Sequence, residues 1–368
     1  MTKKLLPTVI GMILAGGVAV AQADVQIMGH IDESVNYIDG SNSPYVSRGD
    51  NDTQFICTTC SVGVKGSEDL GNGLKALFFL DWQYDINNST GLTGRDQYLG
   101  MGGNFGTLKV GTQSTVYKSH GAMLDPIYRT VAQGRDIGLQ SGLHTGKGPN
   151  GQGRATNTVR YDSPSWNGLK LGATYTLTPD NTTYDDNGYG AGISYENGGI
   201  LVFGDYLTND SGGDDEAYKL GAKYTLNNFA IFGQYEFDKG LITDRSTDTL
   251  GQNNTGDGAD VWFAGATYTM GNNMLYAAYG QGDNAKTTGK TSSTSLACTN
   301  DPVTNIVTCS NVTTSSTGNV STDQYDSMEL VGVHNFSKRT LAYLGFVYID
   351  PDNSSNITHY TLGVKHTF

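Results

Sequence analysis

Six histidines (His30, His120, His144, His334, His359, His366) are scattered through 368 residues, and none falls in a spacing that makes an active site. The sequence holds no G-x-S-x-G elbow, no H-E-x-x-H pair and no phosphate-binding glycine loop. Cys57 and Cys60 form a C-x-x-C, yet no second pair of cysteines or histidines stands at metal-ligand spacing. Neither an enzyme nor a cofactor or metal is expected. What the chain does carry is fixed charge. Lys75, Lys109, Arg154, Arg160 and Lys170 lie in or beside short runs of alternating polarity. Asp125, Arg129, Arg135 and Asp136 lie in the one long stretch, Thr112 to Arg154, where alternation stops. Charges set around an opening do not turn a substrate over; they sort ions and polar solutes by size and sign.

The alternating runs have to position those charges. From Asp24, the residues Val25, Ile27, Gly29, Ile31, Val35 and Tyr37 share one strand face, and Gln26, His30, Asp32, Ser34 and Asn36 share the other. The same pattern returns over 169–177, 229–237 and 360–368. A heptapeptide repeat, Leu171–Leu177, recurs at Leu220–Leu226 and more loosely at Ala264–Met270, as if one strand of a hairpin were copied around a wall. Tight Asn/Gly turns (71–73, 102–104, 197–199, 227–228, 271–273) alternate with long polar, mostly acidic loops (209–215, 238–260, 280–322). The eight prolines avoid strand interiors. About sixteen strands result, starting near Val25, Cys57, Leu74, Gln97, Thr107, Arg154, Leu169, Tyr189, Ile200, Ala217, Phe229, Val261, Met274, Asp326, Leu341 and Ile357. The expected fold is all-β: a transmembrane antiparallel barrel with an apolar exterior and a wet interior. A β-propeller has repeats of similar length but not the alternation of short and long loops.

Export is legible at the N-terminus. Lys3 and Lys4 precede an apolar run, Leu5 to Val20, that ends in Ala21-Gln22-Ala23, the layout of a signal peptide cleaved after Ala23. Residues 24–368 would form the barrel. Losing the two lysines leaves 21 basic residues against 36 acidic ones, a balance that argues against a nucleic-acid partner. No other stretch approaches the ~20 apolar residues of a helical span. In an oxidising compartment disulfides are the default. Cys298 and Cys309 flank a Thr/Asn-rich loop and can close it. Cys57 and Cys60 would stand about 10 Å apart in a straight strand at ~3.3 Å per residue. Either the chain turns between them, or they pair elsewhere.

Several segments resemble one known family. Ser61–Ala76 (SVGVKGSEDLGNGLKA), Gly102–Gly111 (GGNFGTLKVG), Asn157–Pro164 (NTVRYDSP), Phe336–Thr340 (FSKRT) and His359–Phe368 (HYTLGVKHTF) are similar, in order, to trimeric general diffusion porins of the Gram-negative outer membrane. The resemblance implies a sixteen-stranded barrel in a homotrimer, with the third extracellular loop bent into the pore. It also implies outer-membrane lipids and lipopolysaccharide as surroundings. The barrel assembly machinery would read the terminal Phe368, and small hydrophilic solutes and ions would be the cargo. Where the family often carries a second basic residue after the glycine of the fifth strand, this chain has Thr112.

Strand parity turns Lys75, Lys109, Arg154, Arg160 and Lys170 inward and leaves Arg95 undecided. The expected constriction is a basic wall opposite Asp125 and Asp136, with Arg129 and Arg135 on the same loop. Because charge is screened over about 8 Å at physiological salt, this mixed but mostly basic loop should outweigh the distant acidic mouth and favour anions weakly. Three functions compete: a non-specific diffusion pore, a sugar- or acid-specific channel using Tyr117 and Tyr128, and a non-conducting adhesive barrel.

Overall fold

The computed structural model describes residues 24–40, 52–88, 90–148, 153–177, 187–209, 215–242, 253–283, 286–300, 307–320, 324–352 and 355–368. The signal segment and its cleavage at Ala23 lie outside them. Sixteen antiparallel wall strands form a closed barrel. They are β1 (Asp24–Asp39), β2 (in two segments, Asp52–Cys57 and Ser61–Gly71), β3 (Leu74–Asp85), β4 (Thr90–Gly103), β5 (Gly106–Ser114), β6 (Arg154–Asp162), β7 (Leu169–Thr176) and β8 (Gly188–Asn197). The circuit continues through β9 (Ile200–Asn209), β10 (Glu216–Leu226), β11 (Phe229–Lys239), β12 (Val261–Met270), β13 (Asn273–Gly282), β14 (Tyr325–Asn335), β15 (Thr340–Pro351) and β16 (Ile357–Thr367). Closure is made by β1 against β16, from His30 opposite Thr367 to Asp39 opposite Thr358. Phe368 extends that ladder, exchanging backbone hydrogen bonds with Gly29 at 3.0 and 3.1 Å. Its ring lies over Gly29, where a Cβ would come within 2.7 Å of it.

The two faces are opposite to those of a soluble barrel. Ile27, Leu99, Leu220, Leu344 and Leu362 are exposed on the outside, whereas His30, Asp32, Ser34 and Asn36 are buried on the inside of β1. An apolar outer band with a polar lumen is stable only where the outside meets lipid. Short turns use the backbone freedom of their residues: Gly71, Asn72 and Gly73 all have positive φ (86°, 52° and 76°).

Three expectations need correction. The second strand begins at Asp52 and not near Cys57, and the fourth begins at Thr90 and not near Gln97. In both segments the alternation is lost: Phe55 and Ile56 put apolar residues on both faces of β2, and Gly91 and Gly94 interrupt the start of β4. The long loops 238–260 and 280–322 contain a small separate sheet, Asn253–Asp257, Lys286–Asn300 and Val307–Val320, whose two longer strands are rich in threonine, a residue that favours extended backbone. There Cys298 stands directly opposite Cys309 in register; their side chains lie outside the described residues.

Between Cys57 and Cys60 the chain turns. The two form a disulfide with Cα atoms 5.8 Å apart, and Thr59 takes a φ of 50°. Glu33 pairs with Cys57 and His30 with Ser61, so β2 carries one residue more than β1 over this stretch. That is a β-bulge, and the disulfide staples it. Its carbonyls and amides stay satisfied: Thr58 N–H donates to Asp32 O and Tyr84 N–H to Cys60 O, both at 3.1 Å.

Candidate pore constriction

The stretch after β5 is not structureless. It forms a helix α1 (Val116–Gly121), capped by Thr115, whose hydroxyl accepts from the Lys118 N–H at 3.1 Å. Three single 3-10 turns follow, Ala122–Leu124, Gly134–Asp136 and Gly142–His144. A two-residue bridge, Lys147–Gly148, then runs parallel to the start of β6.

Cross-strand register explains where this loop sits. Gly192, Asp205, Lys219 and Glu236 are direct partners across β8, β9, β10 and β11, and they form one row on the inner face. The loop is fastened along that row. His120 Nδ1 lies 2.7 Å from Asp205, Lys219 Nζ 3.3 Å from Asp205, and Tyr117 donates to Glu236 at 2.8 Å. Lys219 also donates to the carbonyl of Tyr117 and, at 3.2 Å, to Nε2 of His144. The other ring nitrogen of His144 then faces the Ser141 carbonyl at 3.2 Å, so the imidazole is neutral. Burial and the neighbouring Lys219 hold it well below the usual histidine range. Ser141 gives Glu236 two further bonds, from its N–H at 3.0 Å and its hydroxyl at 2.5 Å. Both ends of the loop are thus held by one buried network, in which Lys219 pairs with Asp205 and Glu236 accepts from Tyr117 and Ser141.

The wall is cut back to admit α1. A Cβ at Gly172 would come within 2.8 Å of Val116, and one at Gly192 within 2.6 Å of Val116 while also striking the Asp205 carboxylate. Gly192→Val should therefore push α1 off β8. The expected result is an intact barrel with protease cleavage within residues 115–144, checked by digestion of the folded protein and mass spectrometry; an unchanged digestion pattern would count against this seating.

Apolar side chains add to the hold. Leu124, Ile127, Val131, Ala132, Ile137 and Leu139 join one cluster with wall residues Phe203, Phe232, Phe263, Tyr276, Val331, Tyr343 and Val347. Burying each large one is worth roughly 1.5–3 kcal/mol relative to leaving it in water. Further round, Tyr325 donates to Gly138 O (2.8 Å), Ser327 to Ile137 O (2.6 Å) and Lys365 to Tyr128 O (2.5 Å). These contacts come from β7 through β16, and leave the arc of β3 to β6 facing the loop across its charged edge.

On that arc Arg95, Lys109, Arg154 and Arg160 each have a carboxylate that the sequence did not pair with them. Arg95 is 3.1 Å from Asp81, Arg154 3.1 Å from Asp96, Arg160 2.8 Å from Asp162, and Lys109 2.6 Å from the same Asp162. Arg129 reaches across from the loop to 3.9 Å from Asp81, and its guanidinium also lies 3.2 Å from His30. Lys75 and Lys170 sit apart from this group, exposed near the turns at the ends of β3 and β7.

The loop carboxylates face elsewhere. Asp125 is buried and accepts from the backbone N–H groups of Ile127 and Gly134, both at 3.1 Å; burial pushes its carboxyl up to about 6. Asp136 accepts from Gln133 at 2.6 Å and lies 3.9 Å from Arg135, which rests on the Tyr128 ring. A loop bent through several 3-10 turns leaves amides unpaired, and its own carboxylates satisfy them first. The acids opposite the cations are Asp81, Asp96 and Asp162 of the wall. Sequence reading also missed Asp205, Lys219 and Glu236, although their inward parity and equal spacing from successive turns carried the signal.

A closed barrel with an apolar outside, a charged lumen and a loop fastened to its inner wall has the architecture of a membrane-spanning β-barrel. Residues 8–354 match the family model described as Gram-negative porin, and the chain belongs to that family. It is 31% identical over 199 residues to the major outer membrane protein P.IB of Neisseria meningitidis serogroup B, an alignment covering 53% of this chain and 56% of that protein. The chain spans about half the length of the curated relatives it matches at that level. Against the P.IB protein of Neisseria sicca the match is 25% and covers 98% of this chain and 99% of that one. An anion-selective porin from Comamonas acidovorans has the same fold, with a TM-score of 0.68, 19% identity, and coverage of 94% of this chain and 100% of that one.

Proposed function

We propose that the chain is an outer-membrane porin through which small hydrophilic solutes and ions diffuse passively, with a weak preference for anions. The observation that carries this is the lopsided anchoring of the loop. Its apolar and hydrogen-bonded side is committed to one part of the wall, so the passage runs between its charged edge and β3 to β6. Around that passage stand Arg95, Lys109, Lys118, Arg129, Arg135, Arg154 and Arg160, against Asp81, Asp96, Asp136 and Asp162. Cations outnumber carboxylates within a screening length or so. The named selectivity of the Comamonas protein is in keeping with this sign.

The reading extends to assembly. A homotrimer is in keeping with the family to which the chain belongs. Phe368 would be the mark by which the assembly machinery takes up the last strand. Liposome swelling with sugars of rising size tests the solute range. A smooth cutoff is expected; one strongly favoured sugar or acid would replace this reading with a specific channel, and no swelling or conductance would leave an adhesive barrel.

A further inference from the structure

Lys118 stands out among the charges at the passage. It lies on α1 next to Ser119, whose hydroxyl accepts from Arg160 at 2.8 Å, which places this part of the helix against the basic arc of the wall. Its side chain is 3% exposed. Among the described residues no carboxylate comes within ion-pair reach of its ammonium, whereas Arg95, Arg154, Arg160 and Lys109 all have one. The charged groups around it are Arg135 from the second 3-10 turn, Arg154 from β6, and Arg95 and Asp96 from β4, with the neutral His144 imidazole from the end of the loop beside them. Asp96 is the one carboxylate of that set, and it is already bound by Arg154 and by the Ser114 N–H at 2.8 Å. The cationic field there is therefore uncompensated.

We infer that Lys118 is the residue that sets the anion preference of the channel, and that its ammonium makes this preference fall as pH rises. The inference rests on the passage lying along β3 to β6. A paired cation and its carboxylate look nearly neutral to a passing ion, whereas an unpaired ammonium acts with its full charge. The direction with pH follows from its surroundings. Burial, then Arg135 and Arg154, hold the Lys118 ammonium well below the usual lysine value. Its charge is present at acid pH and is lost as pH rises through that lowered value. The guanidinium groups around it keep their charge throughout.

The test is the reversal potential across a potassium chloride gradient, measured from pH 6 to pH 10 on wild type, Lys118→Gln and Lys118→Arg. Wild type should prefer chloride at pH 6 and lose about threefold in its chloride-to-potassium permeability ratio by pH 10, the effect of one charge at a few ångströms under partial screening. Lys118→Gln should show the low ratio at every pH. Lys118→Arg should keep the high ratio at every pH, which a merely structural role would not produce. Conducting channels with the same ratio in wild type and Lys118→Gln, or a wild-type pH dependence that survives in Lys118→Arg, would overturn the inference. Absence of conductance in wild type would instead overturn the porin function on which it rests.

Discussion

Replacing Lys219 with methionine should free the loop from the wall while leaving the barrel closed. Lys219 is wholly buried between Asp205 and Glu236 in its cross-strand row, and it also holds the Tyr117 carbonyl and His144. Methionine fills similar space but leaves two carboxylates without their common cation. Breaking a buried ion network from one side costs roughly 3–5 kcal/mol. The barrel ladder does not run through this side chain, so the cost falls on the contacts between loop and wall. The expected outcome is an open-state conductance above that of wild type, with frequent closures, and rapid protease cleavage between residues 115 and 144. Wild-type conductance together with wild-type protease resistance would show that the apolar cluster alone holds the loop.

The second large effect is expected at the passage itself. Arg95 and Arg154 are buried to 3% and 8% exposure and compensate Asp81 and Asp96. Substituting both arginines with glutamine keeps hydrogen-bond donors beside each carboxylate but removes two positive charges. At about threefold per charge, the chloride-to-potassium ratio should fall by roughly an order of magnitude and turn the channel cation-preferring. The measurement is the sign of the reversal potential. By contrast, Asp125→Asn should change selectivity little, because that carboxylate is spent on the Ile127 and Gly134 amides of the loop.

Much of the architecture is legible in the amino-acid sequence. Period-two alternation identifies the lipid and lumen faces of β1, and the heptapeptide repeat falls on β7, β10 and β12 with Leu171 and Leu220 outside. Those signals are local: a single strand's residues record which side meets lipid. The boundaries of β2 and β4 are missed because the alternation fails there, with Phe55 and Ile56 apolar on opposite faces and glycines interrupting 90–94, while the backbone still pairs. The Cys57–Cys60 turn cannot be settled that way, since a bulge is a property of two strands and Glu33 has first to be placed opposite Cys57.

The charges show the same limit more sharply. Parity places Lys109, Arg154 and Arg160 on the lumen side, but not the carboxylates beside them. Asp96 meets Arg154 across 58 residues of chain, and Tyr117 meets Glu236 across 119. Asp125 and Asp136 look like partners for the wall because they are the only acids in the loop, whereas the folded loop needs them to satisfy its own amides and side chains. Composition counts charges; only register can pair them.

The central claim is that the passage along β3 to β6 conducts ions and that its surplus of cations sets the sign of selectivity. The most direct measurement is the current of the purified, folded protein in a planar bilayer at pH 7, with a potassium chloride gradient across it. Stable conductance with a reversal potential on the chloride side is the predicted result. No conductance, or a reversal potential on the potassium side, would contradict it.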